Sequence, residues 1–385
     1  MRVLIDYRPA LRERSGVGEY THELAKALLA AFAPANGARP LELTLFSSSW
    51  KDRLTRDAEL AGAAAIDRRV PVSVLNFAWH RLGWPPAEIV TGASFDVAHS
   101  SHPLLMPARA AAQVITIHDL NFLSHPERTR AEIRRDYAAL VRTHAGRADA
   151  IIVSSSFTAG EVERTLGVDR QRIAICPAGA PAWTPRTTPA RNGYVLFLGT
   201  LEPRKNLGGL LDAYETLIAD ELADGAVSSR FPELVVAGRA TDDAAAWLDR
   251  IARPPLAGRV RYVGYVEPAE RRQLYVGAQL LVQPSFEEGF GMTVLEAMSL
   301  GVPVVAARRG SLPEVVGDAG PLVDPDSADE IAAGIRRIVT NAAFAAECAA
   351  KGLARAATFT WTTTAHRVYQ TYEQAIARRA RRIGS

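Results

Sequence analysis

Cysteine is scarce in this chain: its 385 residues include two, Cys176 and Cys348. Neither has the spacing of a metal site or a redox pair, so no disulfide framework is expected and a reducing compartment fits best. No stretch of about 20 consecutive apolar residues occurs, so no membrane-spanning helix is expected. An excess of one charge is missing as well. The formal net charge of +3 is too small to argue for nucleic acid, although it leaves anionic small molecules and lipid head groups open. The opening MRVLIDYRPA interrupts a very short apolar run with Asp6, so it reads as a first strand and not as a secretory leader. A complete dinucleotide fingerprint is also lacking. Gly16-x-Gly18 comes well after that strand, and Thr21 stands where a third glycine belongs, which makes nicotinamide binding a poor match.

What the sequence does have is alternation. Apolar runs at Val3–Ile5, Leu43–Phe46, Val97–Ala98, Val114–Ile117 and Ile151–Val153 are separated by helical patterns. A second set follows at Tyr194–Leu198, Leu234–Val236, Val260–Val263, Leu280–Gln283 and Val302–Ala306. This is the pattern of α/β folding, with parallel sheets covered by helices. A hydrophobic content of 48% with 23% charged residues suits a globular protein, and 385 residues suggest two cores. Between the sets, CPAGAPAWTPRTTPARNG is rich in proline and threonine and poor in periodicity, so it reads as a linker. The expected architecture is two doubly wound Rossmann-like domains facing a central cleft, residues 1–180 and 194–359, joined by 181–193.

The segment EEGFGMTVLEAMSLGVPVV, Glu287 to Val305, holds two acids eight positions apart, Glu288 and Glu296. On one continuous helix they would lie about two turns apart, too far to grip one small polar group. Gly289 and Gly291 argue against such a helix and for a strand, a glycine turn and then a helix from Val294 to Leu300. Glu288 then sits at the C-terminal edge of a parallel strand, where open sheets bind ligands and a helix N-terminus favours anions. Arg204 and Lys205 in GTLEPRKNL come off the first strand of the second set, just before a helix near Asn206, and suit a phosphate. RERSGVGEY, before a helix near Glu19, reads as a loop whose glycines Gly16 and Gly18 let backbone approach a ligand. His118 ends the run ITIHDL, where an imidazole can bond a sugar hydroxyl or a leaving phosphate.

Other features have plainer readings. Asp242 with Asp243 and Asp324 with Asp326 are acids at loop or helix starts, not metal ligands. Arg378, Arg379, Arg381 and Arg382 form a solvated terminus, with contact to an anionic membrane as the sharper reading. NFAWHRLGWPP, with two tryptophans, is read as core, with lipid or acceptor contact as its alternative.

Together, SGVGEY, IHDLNF, GTLEPRKNL, EEGFGMTVLEAMSLGVPVV and LPEVVGDAGPLVDPDS resemble family 4 of the glycosyltransferases, retaining enzymes of the two-Rossmann-domain type B fold (GT-B). The resemblance spans residues 15 to 327. It implies that Glu288 bonds donor-sugar hydroxyls, that Glu296 holds the nucleotide ribose, and that Arg204 and Lys205 neutralise the donor diphosphate. Gly16 and Gly18 would belong to the loop closing near that diphosphate, and His118 would lie near the sugar's reacting end. Gly289, Phe290, Gly291, Met292 and Thr293 would complete the donor site. The last helices, 360–385, would return to complete the first domain, and the two domains would close on the donor.

The implied reaction is metal-independent front-face transfer from a nucleotide sugar, without a resident cofactor. IHDLNFLSHPE and GTLEPRKNL look most like mannosyltransferases of bacterial surface polysaccharides, which points to GDP-mannose, with UDP-glucose and related donors as alternatives. The acceptor would be a glycan or a lipid-linked oligosaccharide, and the enzyme cytoplasmic with peripheral contact at an anionic membrane. A sugar-nucleotide epimerase and a non-catalytic sugar-nucleotide sensor of the same fold are the rival classes.

Overall fold

The computed structural model describes residues 1–11, 16–33, 40–50, 52–55, 58–124, 131–223 and 231–384. Residues 12–15 of the glycine loop and 125–127 of IHDLNFLSHPE lie outside them. The chain divides into two compact units, Met1–Gly179 with Thr360–Ser385, and Ala180–Phe359.

The first unit is a seven-stranded parallel sheet of β1 (Arg2–Asp6), β2 (Glu42–Ser48), β3 (Ala64–Arg68), β4 (Val97–Ser100), β5 (Ala112–Ile117), β6 (Ala150–Val153) and β7 (Ile173–Ile175). Its spatial order, β3-β2-β1-β4-β5-β6-β7, reverses direction between β1 and β4. Such a reversal opens a crevice at the strands' carboxyl ends. Val3, Leu4, Ile5, Val114, Ile115 and Ile151 are wholly buried, because helices cover both faces of the sheet. The edge strands β3 and β7 give no apolar run in the sequence: β3 is AAIDR, mostly exposed, and β7 is three residues long.

The helix Trp361–Gly384 packs on this sheet and on the helix Val17–Ala31. Phe32 stacks on Tyr369 with ring centroids 4.1 Å apart, and the buried Tyr372 hydroxyl lies 2.7 Å from His99 Nδ1. Of the arginines at the end of that helix, Arg381 and Arg382 are exposed, as a solvated terminus would be, whereas Arg378 and Arg379 are half-buried. Arg378 donates to the carbonyls of Asp149 and Gln171, Arg379 to those of Ala108 and Arg109, and Arg382 to Arg147 O and the Asp149 carboxylate. Each caps carbonyls of its own unit, a use that a run of basic residues does not reveal. Arg381 bonds within its helix, to Ala377 O.

The second unit is a six-stranded parallel sheet of β8 (Tyr194–Leu198), β9 (Leu234–Ala237), β10 (Val260–Gly264), β11 (Ala278–Gln283), β12 (Val304–Ala307) and β13 (Leu322–Val323). Its order is β10-β9-β8-β11-β12-β13, with the reversal between β8 and β11. The basic motif follows β8 and the acidic motif follows β11, so the topology sets them side by side at the switch point. Residues read as a linker are packed on this unit. Arg186 donates to the carbonyl of Ala278 at 2.6 Å, and the Trp183 and Tyr275 rings are 6.0 Å apart.

Candidate active site

β8 delivers a short 3₁₀ turn, Pro203–Lys205, whose end is fixed by Asn206 in the left-handed conformation at φ 57°. Asparagine tolerates that region because its amide can bond locally. Here the buried amide donates to Pro284 O (3.0 Å) and Pro325 O (2.7 Å) and accepts from Gly209 N–H (3.1 Å). One side chain thus ties the basic turn, the loop after β11 and the loop after β13 together. The Phe286 N–H donates to Arg204 O at 2.8 Å and reinforces the seam.

After β11 the chain makes the loop that carries Glu288 and then enters the helix Met292–Ser299. Gly291 caps that helix at φ 101°, and a Cβ there would stand 2.7 Å from Leu312, so only glycine fits. The helix thus starts two residues before Val294, and Met292 and Thr293 form its half-buried first turn. Gly310, at φ 61°, lets its backbone lie against Glu288: a Cβ there would meet Glu288 O at 2.9 Å. Ser311 completes the clamp by donating to Glu288 O from both N–H and hydroxyl, at 3.1 and 2.8 Å.

The Glu288 side chain is 8% exposed and gathers four donors. Lys205 Nζ lies 2.5 Å from Oε1, Arg204 Nη1 3.4 Å from Oε2, and the Gln283 amide and Ser285 hydroxyl are each 2.9 Å from Oε1. Burial alone would raise this carboxyl, but Lys205 and Arg204 beside it hold it at about 2. Arg204 Nη2 also pairs with Glu202 at 2.7 Å. The basic pair is therefore not a bare double cation: Glu202 and Glu288 balance it charge for charge. Gln283 extends the network, accepting from the Thr293 hydroxyl at 3.2 Å and so linking Glu288 to the helix start.

Glu296 goes to other partners. Buried in the helix, it accepts from the Tyr275 hydroxyl (2.7 Å) and pairs with Arg271 (3.2 Å), both from the helix Pro268–Gly277. Phe290 is 8% exposed and packs edge-on against Phe359, with centroids 5.8 Å apart. Gly289 lies in the loop between the two acids.

The remaining candidates belong to the first unit. Gly16 precedes the helix Val17–Ala31 at φ 52°, whereas Gly18 is buried in that helix's first turn and is not part of the loop. His118 follows β5; its Nε2 lies 3.3 Å from Ser101 O, and Tyr20 meets its ring edge-on at 5.2 Å. Burial holds this imidazole down at about 4, so it is neutral at physiological pH.

Sequence reasoning passed over a second network at the carboxyl ends of β1 and β4. The buried Asp6 receives Arg8 Nε (2.8 Å), Arg8 Nη2 (2.6 Å) and His102 Nε2 (3.3 Å), while Arg8 Nη1 donates to Asn76 (2.8 Å). The arginine and histidine hold Asp6 below the usual carboxylate range against the effect of burial. Its signal in the sequence was Asp6 closing an otherwise apolar strand. Among the described residues, no group of three His, Cys, Asp or Glu side chains is placed to hold a metal ion.

Two Rossmann-like units, with a basic pair and a buried acid at the switch point of the second, define the class: a type-B glycosyltransferase. Residues 14–182 match the model of Glycosyltransferase Family 4, and residues 192–341 match that of Glycosyl transferases group 1. O-antigen chain mannosyltransferase B of Escherichia coli is 30% identical over 94% of this chain and 96% of its own length. The chain belongs to glycosyltransferase family 4. The serotype-specific mannosyltransferase WbdA of Escherichia coli is 29% identical over 72% of this chain but only 36% of its own length. Among solved structures, sucrose-phosphate synthase from Thermosynechococcus elongatus shares the fold, with a TM-score of 0.73 at 20% identity over 98% of this chain and 99% of that one.

Proposed function

We propose that this enzyme transfers mannose from GDP-mannose, with retention, to a glycan or lipid-linked oligosaccharide in the synthesis of a bacterial surface polysaccharide. The observation that carries the reading is the compensated cluster of Arg204, Lys205, Glu288 and Glu202 at the strand ends. The two full-length or partial mannosyltransferase relatives support the sugar. A donor diphosphate would take over the two cations, freeing Glu288 for the hydroxyls of the sugar. Negative charge grows on the diphosphate as the glycosidic bond breaks, so preorganised cations and helix N–H groups lower the barrier directly. Glu296, held by Arg271 and Tyr275, is assigned to the ribose. Gly16 is assigned to the diphosphate side, and Phe290, Gly291, Met292 and Thr293 to the donor pocket.

His118, neutral, is assigned to the sugar's reacting end, and the departing phosphate takes the acceptor hydroxyl's proton. No divalent ion is required in this scheme. The work is done on the cytoplasmic side, at a membrane surface.

The test is a donor screen by thermal shift, followed by transfer to a mannose-terminated acceptor and assignment of the new anomeric linkage. GDP-mannose raising the melting temperature most, with an α-linked product, is expected. Preferential stabilisation and transfer with UDP-glucose would move the donor. Binding without any release of nucleotide would mean a sensor, and an altered sugar nucleotide without acceptor would mean an epimerase.

A further inference from the structure

Among the described residues, Asn206 is the one non-glycine residue with positive φ, at 57°. Glycine adopts that conformation without penalty, so an asparagine held there points to a use for its side chain. Every part of the buried amide is engaged. Its oxygen accepts from the Gly209 N–H and so caps the helix Leu207–Ala223, while its NH2 group donates to both Pro284 O and Pro325 O. The cap alone does not call for asparagine. Aspartate and serine cap as well, but an ionised aspartate offers no hydrogen and serine only one.

The place of this tie relative to Glu288 gives it a consequence. Lys205 stands immediately before Asn206 and Ser285 immediately after Pro284, and both reach Glu288 Oε1, at 2.5 and 2.9 Å. The bond to Pro284 O therefore closes a small ring through Lys205, Glu288 and Ser285. The bond to Pro325 O closes a wider one: Asp326 pairs with Arg309, and Gly310 and Ser311, next in the chain, hold the Glu288 backbone. Arg309 and Asp326 are exposed and their pair is weak, so the buried amide is what holds this loop. Residue 209 is an independent sign of the same tie. A Cβ there would stand 2.7 Å from Asn206 Oδ1 and 2.9 Å from Nδ2. Helix propensity favours alanine at that place; the amide excludes it.

We propose that Asn206 is a positioning residue for transfer, its amide fixing the reach of Lys205 toward the donor diphosphate by tying the basic turn to the loops after β11 and β13. This rests on the reading of Arg204 and Lys205 as the diphosphate site. Asn206 touches no substrate in this scheme. Its loss slows the reaction because a displaced ammonium meets the growing charge out of place.

The test is a kinetic cycle on the full chain: wild type, Asn206→Gly, Lys205→Met and the double variant. kcat and KM for nucleotide release are measured with the donor that wild type turns over fastest in the donor screen. Asn206→Gly keeps the left-handed turn and removes the amide. Its kcat should fall about 10- to 100-fold with KM within about threefold, whereas in the Lys205→Met background the same change should lower kcat less than about threefold further. Gly209→Ala displaces the amide without altering residue 206 and should lower kcat about tenfold, although helix propensity alone would raise the melting temperature. Should Asn206→Gly not fold, Gly209→Ala in the two Lys205 backgrounds gives the same cycle. Leu217→Ala, a core change in the same helix, should lower the melting temperature and leave kcat unchanged well below it. Equal fold losses in both Lys205 backgrounds, or a kcat that simply follows the melting temperature across these variants, would overturn the proposal. Wild-type kinetics in Lys205→Met would overturn the diphosphate reading beneath it. A slow Lys205→Met beside fully active Asn206→Gly and Gly209→Ala would overturn the positioning role alone.

Discussion

Replacing Lys205 by methionine removes the ammonium that lies closest to Glu288 and keeps most of the stem. Glu288 is held near 2 instead of its ordinary 4.5, which at about 1.4 kcal/mol per pH unit corresponds to about 3 kcal/mol of folded-state preference for the ionised acid. Burial lowers the Lys205 ammonium, with Arg204 adding to the effect, and this offsets part of the gain. A net loss of about 2 kcal/mol in Lys205→Met is therefore expected, since Arg204 at 3.4 Å is the weaker partner.

For a unit of this size that is a fall in melting temperature of roughly 4–8 °C at pH 7. The sign follows from the depressed carboxyl. Its contribution is fully present above about 4.5 and disappears as pH falls toward 2, so wild type and variant should converge in acid. Adding Glu288→Gln to Lys205→Met should restore part of the loss, because no buried charge is then left without its closest partner. Kinetically, losing one charge-assisted bond to the diphosphate is worth about 1.5–3 kcal/mol, or about a 10- to 150-fold fall in kcat/KM. Part of that fall should appear in kcat, because the charge grows in the transition state. Melting at pH 7 and in acid, together with a coupled assay of nucleotide release, measures both. A melting point within about 1 °C of wild type would refute the buried-charge reasoning, and a low melting point with normal kinetics would leave Lys205 a structural residue only.

Glu202→Gln removes the carboxylate that competes with phosphate for Arg204, so free GDP should bind about three- to tenfold more tightly by calorimetry at low salt. Weaker binding would mean that Glu202 assists the donor. His118→Ala should slow turnover about tenfold or more with nucleotide affinity unchanged. In wild type, the imidazole held near 4 should produce no kinetic transition near its ordinary 6.5. Equal loss of nucleotide binding, or a transition near 6.5 that the substitution removes, would reassign it. Exhaustive chelation should leave transfer within about twofold, because Arg204, Lys205 and the helix N-terminus are proposed to meet the diphosphate charge. Loss on chelation with recovery in Mg²⁺ or Mn²⁺ would overturn that.

The parts legible in the sequence were those written in local backbone rules. Gly289 and Gly291 between an apolar run and a helix-forming run forecast the strand, turn and helix that the fold contains, and the helix expected to end at Leu300 ends at Ser299 with Leu300 as its cap. What was not legible depends on residues far apart in the chain. The sequence alone counts Arg204 and Lys205 as two positive charges; the fold brings Glu288 from 83 positions away onto Lys205 and leaves the cluster neutral. Glu296 was placed on the right helix, yet Arg271 and Tyr275, its partners, come from a helix with no marker of a site. Asn206 was read as the start of a helix, although its amide is what ties three loops together. The two tryptophans of NFAWHRLGWPP show the limit most plainly. Five residues apart in one motif, Trp79 is buried under Arg8 while Trp84 stands in solvent, because helical phase and the turn after Leu82 decide which ring meets the sheet. Composition treats the rings alike, so a reading from composition assigns both to core. The fold separates a residue that anchors the segment from one that stands outside its core.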